Sequence, residues 1–553
     1  MDRIIKRPGL FLFLLFGLCL YLFFFQLGGM ALTDPDETFY AQTAKEMFAR
    51  HEWVTPYLYG APQFEKPILI YWLINISYRI FGVNEFAARF PSAVFALLGV
   101  FGLYHMGSLF YNKRVGLFSA AILATCVEYI ILSRACVTDM ALFTTMLFGA
   151  FFFFYAHMKD KPIFYIFSSV SFALAVLAKG PIAIILAGLA IIIYIFAAKR
   201  FDIPKKIPYL WCALALILVA APWYMAIYHI HGKAFVDAFF GFHNVTRFLE
   251  SEHEIGSQFY YNIPIMLGGF FPWSVFLPLG FWGLFKRASA KVENSQRDAS
   301  IFTLSWFFVI FIFFSISSTK LPTYIFPSFI SLALIAAVVW DDFLTARHPA
   351  YIKKWMPFSY YALPVIIVPG AVAASLYVKS HYPVILNGVI MSAAFLSFGG
   401  ALSLLAFIRK KFIAAFFFII YLVVIFLYPM EKLIIPELEK YETSKEIAGK
   451  LNSFMKPQEP LGSESNYLAG LAFYTGKFPT DLDKHHAMVQ FLSRPDRVWC
   501  VIKEKNHRQL YEVDTKPRYS KDSYMLYKIG KRAIVTNQMP DDGIYLLKRT
   551  GTR

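Results

Sequence analysis

Apolar residues run along about four fifths of this chain in long unbroken stretches, such as 11–27, 140–156 and 412–429. These stretches lack the polar alternation of barrel strands, so they predict helices. Only helices or closed barrels satisfy the backbone inside lipid, and one span needs about 20 apolar residues. The runs 9–29, 88–110, 115–132, 140–157, 163–178, 181–198, 208–228, 263–285, 301–317, 324–340, 357–378, 383–408 and 412–429 predict thirteen membrane spans.

The polar connectors test that reading. With the N-terminus inside, alternate connectors hold the bases: Lys113-Arg114, Lys159 and Lys161, Lys199-Arg200 with Lys205-Lys206, Lys286-Arg287, Lys353-Lys354, and Arg409-Lys410-Lys411. The opposite connectors carry far fewer, which is the positive-inside pattern. Residues 67–81 are apolar but short, and Arg79 interrupts their end. Counting them as a span would invert every later connector, so an interfacial helix is expected there. The long outer loops are then 30–87 and 229–262, the first also holding a helix over 36–50 that Asp34 or Thr33 could cap. Residues 1–429 form the membrane domain. Beyond 430 charges rise, apolar runs shorten, and strand-like pieces appear at 498–503 and 543–548. A small extracytoplasmic α/β domain is expected over 430–553.

Composition changes this picture little. The chain is 58% hydrophobic and 16% charged, against about 25% charged in ordinary soluble domains. The net charge of +17 comes from short connectors rather than from a basic, aromatic-interleaved stripe, which excludes nucleic acid as the expected partner. The five cysteines are scattered without a CxxC pair, so neither a disulfide framework nor a cysteine metal site is indicated. Arg3, Lys6 and Arg7 precede an apolar stretch without a clear cleavage site, which reads as a retained first span.

Candidate chemistry gathers in the outer connectors. Thr33-Asp34-Pro35-Asp36-Glu37 puts three carboxylates directly after the first span, where ionisable groups usually face a cavity. A solvated acidic helix start would explain one or two of them. Phe64-Glu65-Lys66-Pro67 brings a lysine to the membrane surface, where it could hold a lipid phosphate or simply pair with Glu65. Asp139 stands at a span mouth with Arg134 nearby, and could cap the helix or pair with that base. The second loop carries His243-Asn244-Val245-Thr246-Arg247-Phe248, and the four histidines between 229 and 253 have a spacing that matches no standard zinc pattern. Lys320, in Thr319-Lys320-Leu321-Pro322-Thr323-Tyr324, is another base where a lipid phosphate would sit, or a snorkelling side chain. All of these emerge on one face under the predicted topology. That favours an enzyme over a transporter, which would use broken helices near the midplane; Lys179-Gly180-Pro181 is the best such candidate, and it falls in a tight outer turn.

Asp-Glu-Thr-x-Tyr-Ala, Phe-Glu-Lys-Pro, the span-mouth Asp, His-Asn-Val-x-Arg-Phe and Thr-Lys-Leu-Pro-x-Tyr, in order over residues 1–345, together resemble the lipid A aminoarabinose transferase family. That family belongs with the GT-C polyprenyl-phosphate-dependent glycosyltransferases, alongside protein O-mannosyltransferases. The resemblance implies a GT-C fold, an undecaprenyl-phosphate sugar donor, a lipid A or other envelope acceptor, and a bacterial inner-membrane enzyme with its active site and C-terminal domain on the periplasmic side. It further implies Asp36 and Asp139 as the catalytic acids and Lys66, Arg247 and Lys320 as bases for the donor phosphate. Glu37, Tyr40 and Tyr324, carried by the same motifs, would line the substrate cavity. Glu65 and His243 fall where the family's zinc ligands are expected. Phe39 stands where the family usually has arginine, so that phosphate contact is either missing or supplied by another base. The expected reaction is inverting displacement at the anomeric carbon; the rival readings are a protein O-mannosyltransferase-like enzyme and a lipid or sugar transporter.

Overall fold

The computed structural model describes residues 8–239, 241, 258–290, 295–345, 350–503, 506, 524–529 and 532–538. In chain order its first helices are α1 (Pro8–Phe24), α2 (Asp36–Arg50), α3 (Leu69–Phe81), α4 (Glu85–Phe110), α5 (Lys113–Ala124), α6 (Val127–Ser133), α7 (Asp139–Met158), α8 (Ile163–Lys179), α9 (Ile182–Ala198) and α10 (Tyr209–His231). Then follow α11 (Asn262–Gly269), α12 (Leu277–Ala288), α13 (Ser295–Ile316), α14 (Phe329–Leu344), α15 (Ala350–His381), α16 (Leu386–Ile408) and α17 (Phe412–Pro429). Every apolar run of the sequence is helical over most of its length.

Among the described residues, eight helical segments are long and apolar enough to cross a membrane. The run 115–132 and the run 263–285 are bent pairs rather than straight helices, turning by 67° between α5 and α6 and by 111° between Phe259–Gly269 and Trp273–Ala288. Three shorter apolar helices, Gly9–Phe24, Ile163–Lys179 and Ile182–Ala198, complete the thirteen runs. Helix α3 has 13 residues, about 20 Å at 1.5 Å per residue, too short for a bilayer core of about 30 Å. Side chains such as Leu218, Val365, Val372 and Leu376 are exposed on apolar helices, a surface that suits lipid and not water. The chain is a polytopic all-α membrane protein with a small α/β region at its C-terminal end.

The chain divides into two compact units. The first comprises Met1–Leu27, Phe64–Leu73 and Arg89–Met430. Its helices approach closely through glycines: a Cβ on Gly149 would lie 2.6 Å from the Phe172 ring, and one on Gly280 would lie 2.4 Å from Ile335. At one end of the bundle the basic connectors are tied by ion pairs. Arg114 meets Asp341 at 2.7 Å, Arg200 meets Asp298 at 2.6 Å, Lys206 meets Asp160 at 2.8 Å, and Arg287 pairs with Asp342. The connectors that the charge pattern assigned to a single face therefore share one end of the helices.

The second unit comprises Gly28–Gln63, Ile74–Ala88 and Glu431–Arg553. It contains α18 (Ile435–Glu442), α19 (Lys445–Phe454), α20 (Ser465–Thr475), α21 (His485–Leu492), and a hairpin of β1 (Tyr57–Leu58) with β2 (Ala61–Pro62). Its sheet has the order β4-β3-β5-β7-β6, where β3 is Leu461–Ser463, β4 Thr480–Asp481, β5 Trp499–Lys503, β6 Tyr524–Ile529 and β7 Arg532–Thr536. Strand β3 runs parallel to β4 and β5, and β7 pairs antiparallel with β5 and β6. Burial alternates with the two-residue strand period. Trp499, Val501 and Ile534 pack with Ile447, Leu451 and Leu471 from α19 and α20, whereas Cys500, Ile502 and Val535 pack with Met488 and Phe491 from α21. The predicted strand 498–503 is β5; the one expected at 543–548 lies outside the described residues.

Candidate active site

In the second unit, the acidic segment before α2 is divided among different tasks. Glu37 is buried, and its Oε2 accepts from both the backbone N and the Oγ1 of Thr33, each at 3.0 Å. That contact closes the turn into the helix, so the side chain expected in a substrate cavity holds its own backbone. The N-cap position is Pro35, without a side-chain cap bond, which corrects the expectation that Asp34 or Thr33 caps the helix. The Asp34 side chain faces inward instead. Its Oδ1 accepts from Thr38 Oγ1 at 3.0 Å, its Oδ2 accepts from Ser444 Oγ, and Arg532 Nη1 stands 3.6 Å away. Both Asp34 and Arg532 side chains are at least 97% withdrawn from solvent. Asp36, by contrast, is exposed on the first turn of α2, and Tyr40 is buried one turn later.

In the first unit, Asp139 opens α7 and Lys179 closes the antiparallel α8. Lys179 Nζ donates to Asp139 Oδ1 at 2.6 Å, and the same ammonium lies 5.1 Å from the centre of the Tyr324 ring. A short charge-assisted bond between two largely buried groups holds the carboxylate's position tightly. Arg134, the partner considered from sequence, serves another purpose: its guanidinium donates to the carbonyls of Leu22 at 3.1 Å and Phe25 at 2.8 Å, closing the end of α1. Sequence reasoning weighed Lys179 only as part of a transporter-like turn and missed its pairing with Asp139, which lies 40 residues earlier. It also passed over Glu128 on α6, although a carboxylate inside the apolar run 115–132 was a legible signal.

Glu65 and Lys66 are half-buried on a segment anchored by Phe64, whose ring meets His231 at 5.0 Å and Phe235 at 5.6 Å. Lys320 is buried, at the edge of a cavity of about 550 Å³ that is otherwise lined by Phe259, Ile263, Phe311, Ile312 and neighbouring serines. Arg247 and His243 lie outside the described residues. Of the predicted site residues, the structure brings Asp139 and Tyr324 together around Lys179. Asp36, Glu37 and Tyr40 belong to the second unit; Glu65, Lys66, Asp139, Lys320 and Tyr324 belong to the first. No group of three or more His, Cys, Asp or Glu that could hold a metal ion occurs among the described residues. Of the two expected zinc ligands Glu65 is described and His243 is not, and the chemistry proposed for this chain is routed through no metal.

In sequence and in fold the chain is similar to known proteins. Residues 65–225 match the family model described as dolichyl-phosphate-mannose-protein mannosyltransferase. The undecaprenyl phosphate-alpha-4-amino-4-deoxy-L-arabinose arabinosyl transferase of Enterobacter sp. (strain 638) is 30% identical over 399 residues, covering 70% of this chain and 69% of that protein. The crystal structure of ArnT from Cupriavidus metallidurans bound to undecaprenyl phosphate superposes with a TM-score of 0.78 at 21% identity, over 95% of this chain and 98% of that one. An oligosaccharyltransferase from Archaeoglobus fulgidus, in the apo form, shares the fold more distantly, with a TM-score of 0.54 at 12% identity, over 91% of this chain and 70% of that one.

Proposed function

Because this chain belongs to the undecaprenyl phosphate-aminoarabinose arabinosyl transferase family and is thus a GT-C glycosyltransferase of the membrane, we propose that it moves an amino sugar from undecaprenyl phosphate to lipid A. The observation that carries the reading is the match across more than two thirds of the named transferase. A buried lysine beside a mostly apolar cavity, Lys320, supports it, since that combination suits a phosphate with a lipid tail.

The reaction is an inverting displacement. An acceptor oxygen forms a bond to the anomeric carbon while the bond from that carbon to the carrier phosphate breaks. Lys66, Lys320 and Arg247 neutralise the departing phosphate by charge-assisted contacts. Asp139, oriented by Lys179, stabilises positive charge developing on the sugar ring. Asp36 orients the acceptor. A lipid A phosphate is already ionised and gives up no proton, whereas an acceptor hydroxyl would pass its proton to Asp36. In this reading the active site and C-terminal domain face the periplasm, an orientation that the positive-inside pattern of the connectors supports.

Purified protein in vesicles, given labelled polyprenyl-phosphate aminoarabinose and lipid A, should deliver label to lipid A. Asp36→Asn should abolish transfer while the protein still inserts. Label appearing in peptide instead would favour a protein acceptor, the reading attached to the mannosyltransferase match. Absence of transfer to any acceptor would defeat the proposal.

A further inference from the structure

Glu128 is the buried acid that the mechanism leaves unused. The residue is 8% exposed, and neither carboxylate oxygen has a hydrogen-bond partner among the described residues. Buried polar groups are almost always paired, so an orphaned carboxylate in a helical membrane bundle calls for a ligand or a proton. The site around it is built rather than accidental. Glu128 sits just past the break between α5 and α6, where Val127 N donates to the carbonyl of Phe271 at 3.2 Å. Phe271 belongs to the second break, between α11 and α12, and Trp273 Nε1 ties the two breaks again through Thr125 Oγ1 at 3.0 Å. Room for the carboxylate comes from Gly269, where a Cβ would stand 2.2 Å from Glu128 Oε2. Broken helices that meet at an ionisable group are how membrane proteins line a binding site.

The local charges indicate what would bind. Asp139 lies within electrostatic reach of Glu128. Lys179 is the cation that pairs with Asp139, at 2.6 Å, which leaves Glu128 without it. Two carboxylates within electrostatic reach of each other, only Asp139 of them paired with a cation among the described residues, favour a ligand that brings its own positive charge and N–H donors. A neutral sugar offers hydroxyl donors but leaves the charge unbalanced.

We propose that Glu128 is a specificity-determining residue that binds the ammonium group of the transferred amino sugar. This rests on the glycosyl-transfer reading above and names the part of the donor that Glu128 selects. Discrimination then arises because a donor lacking the amine leaves the buried acid unpaired.

The test compares two donors on the full-length protein in vesicles: polyprenyl-phosphate 4-amino-4-deoxyarabinose and its 4-hydroxy counterpart. Glu128→Gln keeps shape and removes the charge. It should lower kcat/KM for the amino donor about 100-fold and change that for the hydroxy donor less than about 3-fold. Glu128→Asp, which keeps the charge on a shorter stem, should recover part of the preference, and both variants should unfold at the wild-type temperature. Equal losses on both donors, or no loss on either, would overturn the inference while wild-type transfer of the amino sugar leaves the glycosyltransferase reading intact. A wild type that transfers the hydroxy sugar as well as the amino sugar also overturns the inference. Wild-type protein that transfers neither donor overturns that reading and, with it, this one.

Discussion

Asp34 in the second unit and Glu128 in the first are both acids withdrawn from solvent, and their surroundings are opposite. Asp34 receives hydroxyl donors from Thr38 and Ser444 and has the buried Arg532 guanidinium 3.6 Å away. Glu128 receives none among the described residues, and its space is held open by a glycine. A buried charge with a full set of partners stabilises the structure that holds it, and losing one partner strands the other. A buried acid without partners costs folding free energy, so its presence points to a role in binding or catalysis. The sequence writes both as acids near an apolar run; only their partners separate the two roles.

The sharpest way to break this contrast is to remove the satisfied acid. Asp34→Ala would leave Arg532 buried without its counter-charge and Ser444 without its acceptor. We expect a loss of about 3–5 kcal/mol from the second unit, read as early hydrogen exchange across α19, α20 and β7. If Asp34→Ala unfolds like wild type but stops transfer, the division between structural and functional acids fails. Next in size is Lys179→Met, which strands Asp139 rather than Asp34. Its single-turnover transfer rate should fall about 100-fold. Arginine at the same position should restore part of it, because it keeps a cation beside the carboxylate.

Gly470→Ala probes the satisfied acid from outside. The added methyl would stand 2.1 Å from Asp34 Oδ1 and 2.9 Å from Ser444 Cβ, so Asp34 must move off its donors. A cost of about 2 kcal/mol in thermal unfolding is expected. Glu128→Gln should shift stability by less than about 1 kcal/mol, since no hydrogen bond is lost. Similar destabilisation by the two substitutions would mean that the orphaned acid is structural after all.

How much of this was written in the sequence depends on the range of the interaction. Span positions were legible because apolar length is a local property, and the exclusion of 67–81 followed from its short length together with the charge pattern of the connectors. The breaks in 115–132 and 263–285 were not legible. Hydropathy sums along a run, whereas each break is stabilised by the other through the Val127–Phe271 and Thr125–Trp273 bonds, which join residues more than a hundred positions apart. Asp139 was found from its place at a span mouth, but its partner Lys179 was not, because the antiparallel pairing of α7 and α8 had first to be known. The acidic segment 33–37 was read as one cluster, whereas its acids have different partners: Glu37 reaches back four residues, a local contact, while Asp34 is held from Ser444 and Arg532, far along the chain.

The smallest expected effect concerns an acid that is neither buried nor orphaned. Asp483 is exposed, and its carboxylate accepts from the backbone N of Ser465 at 2.9 Å and from Ser465 Oγ at 2.6 Å, at the first turn of α20. The Ser465 hydroxyl, with the helix backbone and Lys503 assisting, holds its pKa below the ordinary value of 3.8. A folded-state pKa lowered in this way gives stability that is present above about pH 4 and is lost as pH falls through the folded value. Asp483→Asn should therefore cost about 0.5 kcal/mol at neutral pH, an exposed charge at a helix start being largely screened. Hydrogen exchange over residues 461–483 would show the variant opening faster at pH 7 and no differently from wild type well below pH 4, after correction for the pH dependence of intrinsic exchange. A difference that persists in acid would mean that Asp483 acts through shape and not charge, and the second unit would then hold its exposed acids as it holds Asp34, by geometry.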